Sequence, residues 1–163
     1  KVRNVTIIPL EVVVRNLAAG SLVRETGLST GQPLVPPLVE FYYKNDDLGD
    51  PLLTRDRIAA LALASAEQVA QLDATARQIN QVLSTFFQRC GITLVDFKLE
   101  FGLDKTGAML LADEISPDTC RLWDQAVADA SERVMDKDRF RHDLGQVEAA
   151  YEAVMTRVLG QPV

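Results

Sequence analysis

The sequence predicts an α+β fold, a mainly antiparallel sheet with helices packed around it. Three observations carry this. β-Branched residues crowd residues 5–15, which read Val-Thr-Ile-Ile-Pro-Leu-Glu-Val-Val-Val-Arg. A two-residue alternation runs through 94–101 and returns after a turn. Apolar residues spaced by three and four mark one long helix over 66–89.

Taken in order, residues 5–15 form a strand, with Pro9 at a bulge, an edge or a break because it has no N–H to give a ladder. Asn16 to Ser21 is a turn-rich exit, where Gly20 can take a positive φ. Two glycines and three prolines make 26–38 a loop. Val39 to Tyr43 is a short apolar piece, and Lys44 to Pro51 is a polar loop carrying Asp46, Asp47 and Asp50. Arg55 to Leu63 has helical period. Ser65 and Gln68 form a capping box ahead of the stripe Val69, Leu72, Ala76, Ile79, Leu83 and Phe86, and Gly91 stops that helix.

In the alternating stretch, Asp96, Lys98 and Glu100 share one face, and Val95, Phe97, Leu99 and Phe101 share the other. Asp104-Lys105-Thr106-Gly107 is a turn, Met109 to Ile115 closes a hairpin, and Ser116-Pro117-Asp118 ends it. Two helices follow, over 124–135 and over 138–159. The second carries the stripe Leu144, Val147, Tyr151, Val154 and Val158 and stops at Gly160.

The 163 residues suit one domain, with a sheet-centred body over 1–123 and a helical end over 124–163. A formal charge of −6 argues against a binder of polymeric nucleic acid or of anionic membranes, whose affinity comes from phosphate neutralisation. No apolar run approaches the roughly 18 residues a membrane helix needs. Cys90 and Cys120 make no disulfide framework, so a cytoplasmic location is expected. The chain opens without Met, straight into a strand, and is expected to be a fragment of something longer. Its acid is uneven. Residues 1–81 hold 8 basic and 9 acidic side chains, whereas 82–163 hold 9 and 14.

Part of that acid lies on the hairpin. If Glu100 falls opposite Asp113 or one pair away, two carboxylates meet across adjacent strands, which is unfavourable unless a cation or a Lys sits between them. Two such hard oxygen donors, completed by water and phosphate oxygens, suit Mg²⁺ beside a nucleotide. The competing reading is an exposed face with an ion pair through Lys98. A second constellation joins Arg15 to the Gly20-Ser21 turn, a fork and a hydroxyl suited to phosphate or carboxylate. Arg121 lies just beyond the hairpin. Trp123 reads as core and His142 as surface. Walker, GxGxxG and GxSxG motifs are absent.

In order along the chain, Ile7-Ile-Pro-Leu-Glu-Val-Val-Val-Arg-Asn-Leu-Ala-Ala-Gly-Ser21 and Leu94-Val-Asp-Phe-Lys-Leu-Glu-Phe-Gly102 resemble the two signature segments of the SAICAR synthetase family. Tyr43 to Pro51, Asp113 to Asp124 and Asp136 to Arg141 resemble that family too. The resemblance implies the larger lobe of that fold, without an N-terminal lobe that covers ATP. It also implies ligation of L-aspartate to carboxyaminoimidazole ribonucleotide with ATP as energy source, in purine biosynthesis. Glu100 and Asp113 would bind the ATP-associated Mg²⁺. Lys98 would face phosphate or substrate carboxylate, and Asp50 a second metal or the substrate. Arg15, Ser21, Arg121, Lys137, Asp138 and Arg141 would hold the ribonucleotide. The implied partners are these small molecules, with no nucleic acid and no membrane, and a homo-oligomer stays open. The isolated 163 residues are expected to turn over ATP weakly or not at all. A noncatalytic ribonucleotide-binding module or an inactive fragment is the alternative.

Overall fold

A computed structural model describes residues 2–160. Six strands form one sheet. In chain order the elements are β1 (Thr6–Leu17), α1 (Ser21–Thr26), β2 (Pro33–Tyr43), β3 (Leu52–Leu53), α2 (Arg55–Ala60), α3 (Ala66–Arg89), β4 (Ile92–Leu103), β5 (Met109–Ala112), β6 (Cys120–Asp124), α4 (Asp138–Arg141) and α5 (Val147–Leu159). The strands are ordered β3-β2-β1-β4-β5, and every pairing is antiparallel. β4 is long enough to hold two partners on one edge. Its end, Glu100 to Leu103, pairs with β5, and its start, Ile92 to Phe97, pairs with β6.

One face of this sheet is the core. Leu10, Val12 and Val14 of β1 and Leu94, Phe97, Leu99 and Phe101 of β4 are buried there with Val69, Leu72 and Ala76 of α3. The helix starts as its sequence dictates. The Ser65 hydroxyl accepts the Gln68 N–H at 3.2 Å, and Gln68 Oε1 accepts the Ser65 N–H at 2.8 Å. Pro9 falls in the stretch between Ile7 and Glu11 where the β1–β4 register shifts, so its missing N–H costs no ladder bond there.

Four local expectations are overturned. Residues 33–38 belong to β2 rather than a loop, because Pro36 and Pro37 lie where β2 breaks register with β1 and where β3 does not reach. β5 ends at Ala112, since Asp113 turns away with φ of 68°. No helix forms over 124–135. Cys120–Asp124 continues as β6, and the Asp129 carboxylate caps a turn by accepting the N–H groups of Ser131 and Glu132. The chain then doubles back so that Val134 bridges to Trp123. The helix expected over 138–159 is two, broken at Asp143, Gly145 and Gln146, all with positive φ. Buried Arg139 holds this break, donating to the carbonyls of Gly145, Leu144 and Val134.

Val95 also departs from simple alternation. A register shift between Leu94 and Asp96 moves it off the core face of Phe97 into a smaller cluster with Ala19, Trp123 and Val134. That shift lets Leu94 and Phe97, three residues apart, both enter the main core.

Candidate functional site

The face of the sheet opposite α3 carries the polar residues. Register aligns Glu11 with Glu100, Val13 with Lys98 and Arg15 with Asp96 across β1 and β4, while Val13 faces Glu40 across β1 and β2. Alternation therefore collects Glu11 and Arg15, Asp96, Lys98 and Glu100, and Glu40 and Tyr42 on one surface.

At one end lies a lysine-bridged carboxylate cluster. Lys98 Nζ is 2.6 Å from Glu100 Oε1, 3.0 Å from Asp113 Oδ2 and 3.4 Å from Glu11 Oε1. Lys44 Nζ donates to the same Glu100 oxygen at 2.8 Å. Glu100 and Asp113 thus come together one pair apart, Glu100 lying opposite Ala112, with a lysine between them. Burial opposes the Glu100 charge, yet the two lysines outweigh it and hold its pKa below the ordinary carboxylate value. Burial likewise works against the Lys98 charge, but Glu100, Asp113 and Glu11 raise its pKa well above that of a free lysine. Among the described residues no three His, Cys, Asp or Glu side chains converge into a metal cage. The donor chemistry still fits Mg²⁺, because Glu100 and Asp113 are hard oxygen ligands already gathered around a cation.

At the other end the arginines meet. Arg15, only 3% exposed, donates to Glu40 at 2.7 Å, Asp96 at 2.8 Å, Ser21 Oγ at 3.0 Å and Tyr42 Oη at 3.1 Å. Asp96 Oδ2 accepts from Arg121 as well, at 2.8 Å. Arg121 Nε donates to Asp138 at 2.6 Å, and Arg141 donates to the other oxygen of Asp138 at 3.1 Å. Burial pulls against the Arg121 charge, but Asp96 and Asp138 raise its pKa. Gly20, at φ 58° and ψ −130°, brings the backbone against this guanidinium; a Cβ there would lie 2.6 Å from Arg121 Nη2. Gly20, Ser21, Arg121, Asp138 and Arg141 line a cleft of about 710 Å³ with Arg24, Trp123, Arg133 and His142.

The structure thus joins Arg15, Ser21, Arg121, Asp138 and Arg141 in one network, and Lys98, Glu100 and Asp113 in a second. Lys137 is half-buried, and burial together with its like-charged neighbours Arg141, Lys98 and Arg121 lowers its pKa. Asp50 is drawn elsewhere: its carboxylate closes its own loop, accepting the Asn45 N–H at 2.8 Å. Sequence reasoning passed over Glu40 and Tyr42, whose signal was the alternation Val39-Glu40-Phe41-Tyr42-Tyr43. It also passed over the roles of Asp96, shared by two arginines, of Lys44, and of Asp136. The last is fully buried and accepts the N–H groups of Leu122 at 2.7 Å and Asp138 at 2.9 Å, tying the 136–141 run to β6.

Fold and site together define an α+β protein with an arginine-lined cleft beside a lysine-bridged pair of carboxylates. The chain belongs to the SAICAR synthetase family, whose model matches residues 1–158. It is 70% identical over 162 residues to a phosphoribosylaminoimidazole-succinocarboxamide synthase from a Cyanothece strain, covering 99% of this chain and 67% of that one. The protein of the same name from Acaryochloris marina is 64% identical, with 100% and 66% covered. Among solved structures, a SAICAR synthetase in complex with ADP superimposes with a TM-score of 0.91 at 44% identity, covering 98% of this chain and 66% of that one. The Pyrococcus horikoshii SAICAR synthetase gives 0.89 at 43% identity, with 98% and 68% covered. The chain thus spans about two thirds of the length of these relatives. Among the described residues, no helix is long and apolar enough to cross a membrane.

Proposed function

We propose that these residues form the substrate- and metal-binding part of an ATP-dependent carbon–nitrogen ligase acting in the cytoplasm. The ligase joins L-aspartate to carboxyaminoimidazole ribonucleotide, giving SAICAR, ADP and phosphate. The observation that carries this reading is that Asp96, Lys98 and Glu100, on one face of β4, anchor both the Lys98–Glu100–Asp113 cluster and the Arg15–Asp96–Arg121 network. An ADP-bound structure among the relatives supports the nucleotide.

A carboxylate is a poor electrophile. Its attack on the terminal phosphorus of ATP makes an acyl phosphate and releases ADP. The neutral amine of aspartate then attacks the acyl carbon and expels phosphate. Glu100 and Asp113 would hold the Mg²⁺ of ATP, with Lys98 turning from them to the phosphoryl or carboxylate oxygens. When bound, the metal would draw negative charge from phosphate oxygens. Lys98 would supply a second positive charge there. Arg15, locked by Glu40 and Asp96, keeps Ser21 and Arg121 oriented toward the anionic ribonucleotide, with Lys137, Asp138 and Arg141 at the rim of that site. Asp50 faces the substrate only if its loop opens.

The test is aspartate-dependent ADP release in the presence of the ribonucleotide. A full-length relative carrying these residues should show it. Glu100→Gln should lower it by about 100-fold or more, a far larger effect than its loss of stability. The 163 residues alone should show little or none. Unchanged turnover in Glu100→Gln removes the metal role. Ribonucleotide binding without turnover in the full-length protein supports a noncatalytic module instead.

A further inference from the structure

The cleft beside Arg121 also contains the guanidinium of Arg133, whose surroundings differ from those of Arg15, Arg121 and Arg141. Arg15, Arg121 and Arg141 each donate to a carboxylate. Arg133 lies over the ring of Trp123 instead, its Cζ 3.7 Å from the ring centroid. Its Nε is buried and has no hydrogen-bond partner among the described residues. A buried guanidinium N–H left unpaired is costly, and this chain has 23 carboxylates from which to supply a partner. The indole face holds the charge and strips its water without using any of its donors.

The position is fixed from several sides. The Arg133 carbonyl accepts the Asp124 N–H at 2.8 Å, and the adjacent Val134 bridges to Trp123. Arg139 donates to the Val134 carbonyl at 3.0 Å and, at 3.4 Å, to the carbonyls of Ser131 and Glu132. Gly31 closes the stack from outside. A Cβ there would stand 3.5 Å from the Trp123 ring and 3.9 Å from Arg133 Nη2. A guanidinium stacked this firmly, with a cleft in front of it, is suited to an anion that comes from solvent.

We propose that Arg133, seated on Trp123, is a further substrate-binding residue that receives the phosphate of the ribonucleotide. This rests on the function proposed above. The end of the substrate follows from β4. Glu100 pairs with Ala112, Asp96 with Arg121 and Thr93 with Trp123, so Arg133 lies beyond Arg121, away from the carboxylate cluster. The carboxylate to be activated must lie by the nucleotide and Lys98. The anion at the opposite end is then the phosphomonoester.

Trp123 is the only tryptophan of the chain, so its fluorescence reports on this stack directly, with calorimetry as a second readout. The 163-residue protein is titrated with ribose 5-phosphate. Saturable binding with a change in Trp123 emission is expected. Arg133→Ala should weaken that binding about 10- to 100-fold, and Arg133→Lys should recover only part, because an ammonium lacks the fork. Arg121→Ala should abolish binding. If Arg133→Ala and Arg133→Lys, folded by circular dichroism, bind as the parent does while Arg121→Ala does not, the role of Arg133 is overturned and the proposed function stands. If the parent fails to bind, or binds independently of Arg121, both are overturned.

Discussion

Glu11 and Glu100 are direct register partners on adjacent strands, and the ammonium of Lys98 lies within 3.4 Å of one and 2.6 Å of the other. Carboxylates so placed repel unless a cation separates them. Lys98→Met should therefore lower stability by about 1–3 kcal/mol. It should also make stability depend on magnesium, with a few millimolar MgCl₂ raising the melting temperature of the variant and leaving the parent almost unmoved. Melting curves at matched ionic strength test this, and a variant indifferent to magnesium counts against the metal reading.

Gly20→Ala places a Cβ where Arg121 already lies, at a backbone conformation that residues with side chains avoid. The expected loss is about 1–3 kcal/mol. Urea unfolding measures it. Ribose 5-phosphate binding should fall in the same variant, because the Arg121 guanidinium must shift. Gly27→Ala is the control for backbone strain alone, since its φ is 73° and nothing lies within 4 Å of a Cβ there.

Asp136 is the group to watch as pH changes. Burial pushes its pKa up to about 6, against the pull of the N–H groups of Asp138 and Leu122. The folded state then takes up a proton before the unfolded chain does. Stability from this residue accordingly rises as pH falls from about 6 toward 4, by at most about 3 kcal/mol, and is absent above that window. Unfolding free energies between pH 7 and 4.5 should rise toward acid in the parent relative to Asp136→Asn. Parallel curves would refute the shift.

Arg139→Met removes the donor that ties the 131–134 turn to the 144–145 turn. Loss of its bonds to Val134, Leu144 and Gly145 leaves carbonyls unpaired, at a cost of about 3 kcal/mol or more. Hydrogen exchange should show the amides near 131–135 and 143–146 losing protection first, with the β1–β4 pairing unaffected.

Where one periodic signal decided the structure, the sequence was legible. The stripe from Val69 to Phe86 with its capping box gave α3, and the alternation from Asp96 to Phe101 gave the polar face of β4. Misreadings came where a tertiary partner overrode local propensity. Prolines at 33, 36 and 37 look like loop until a register break shelters them. Ala-rich 124–135 looks helical until Asp129 and the Trp123–Val134 bridge pull it into a turn. The site divides in the same way. Lys98, Glu100 and Arg15 stand out by alternation and charge. Glu40, Asp96 and Asp136 are visible only once three strands are in register, because each acts by being buried against a distant donor.

One strand carries both halves of the site. Asp96 and Glu100 stand four positions apart on β4, about 13 Å of extended chain, and β1 pairs with every residue of that stretch, leaving no hinge between them. The spacing between the arginine cleft and the carboxylate cluster is therefore a fixed length that no domain motion within this sheet can alter. Any closing over bound reactants must come from what sits above the sheet, and a substrate one bond too long or too short meets a rigid gauge.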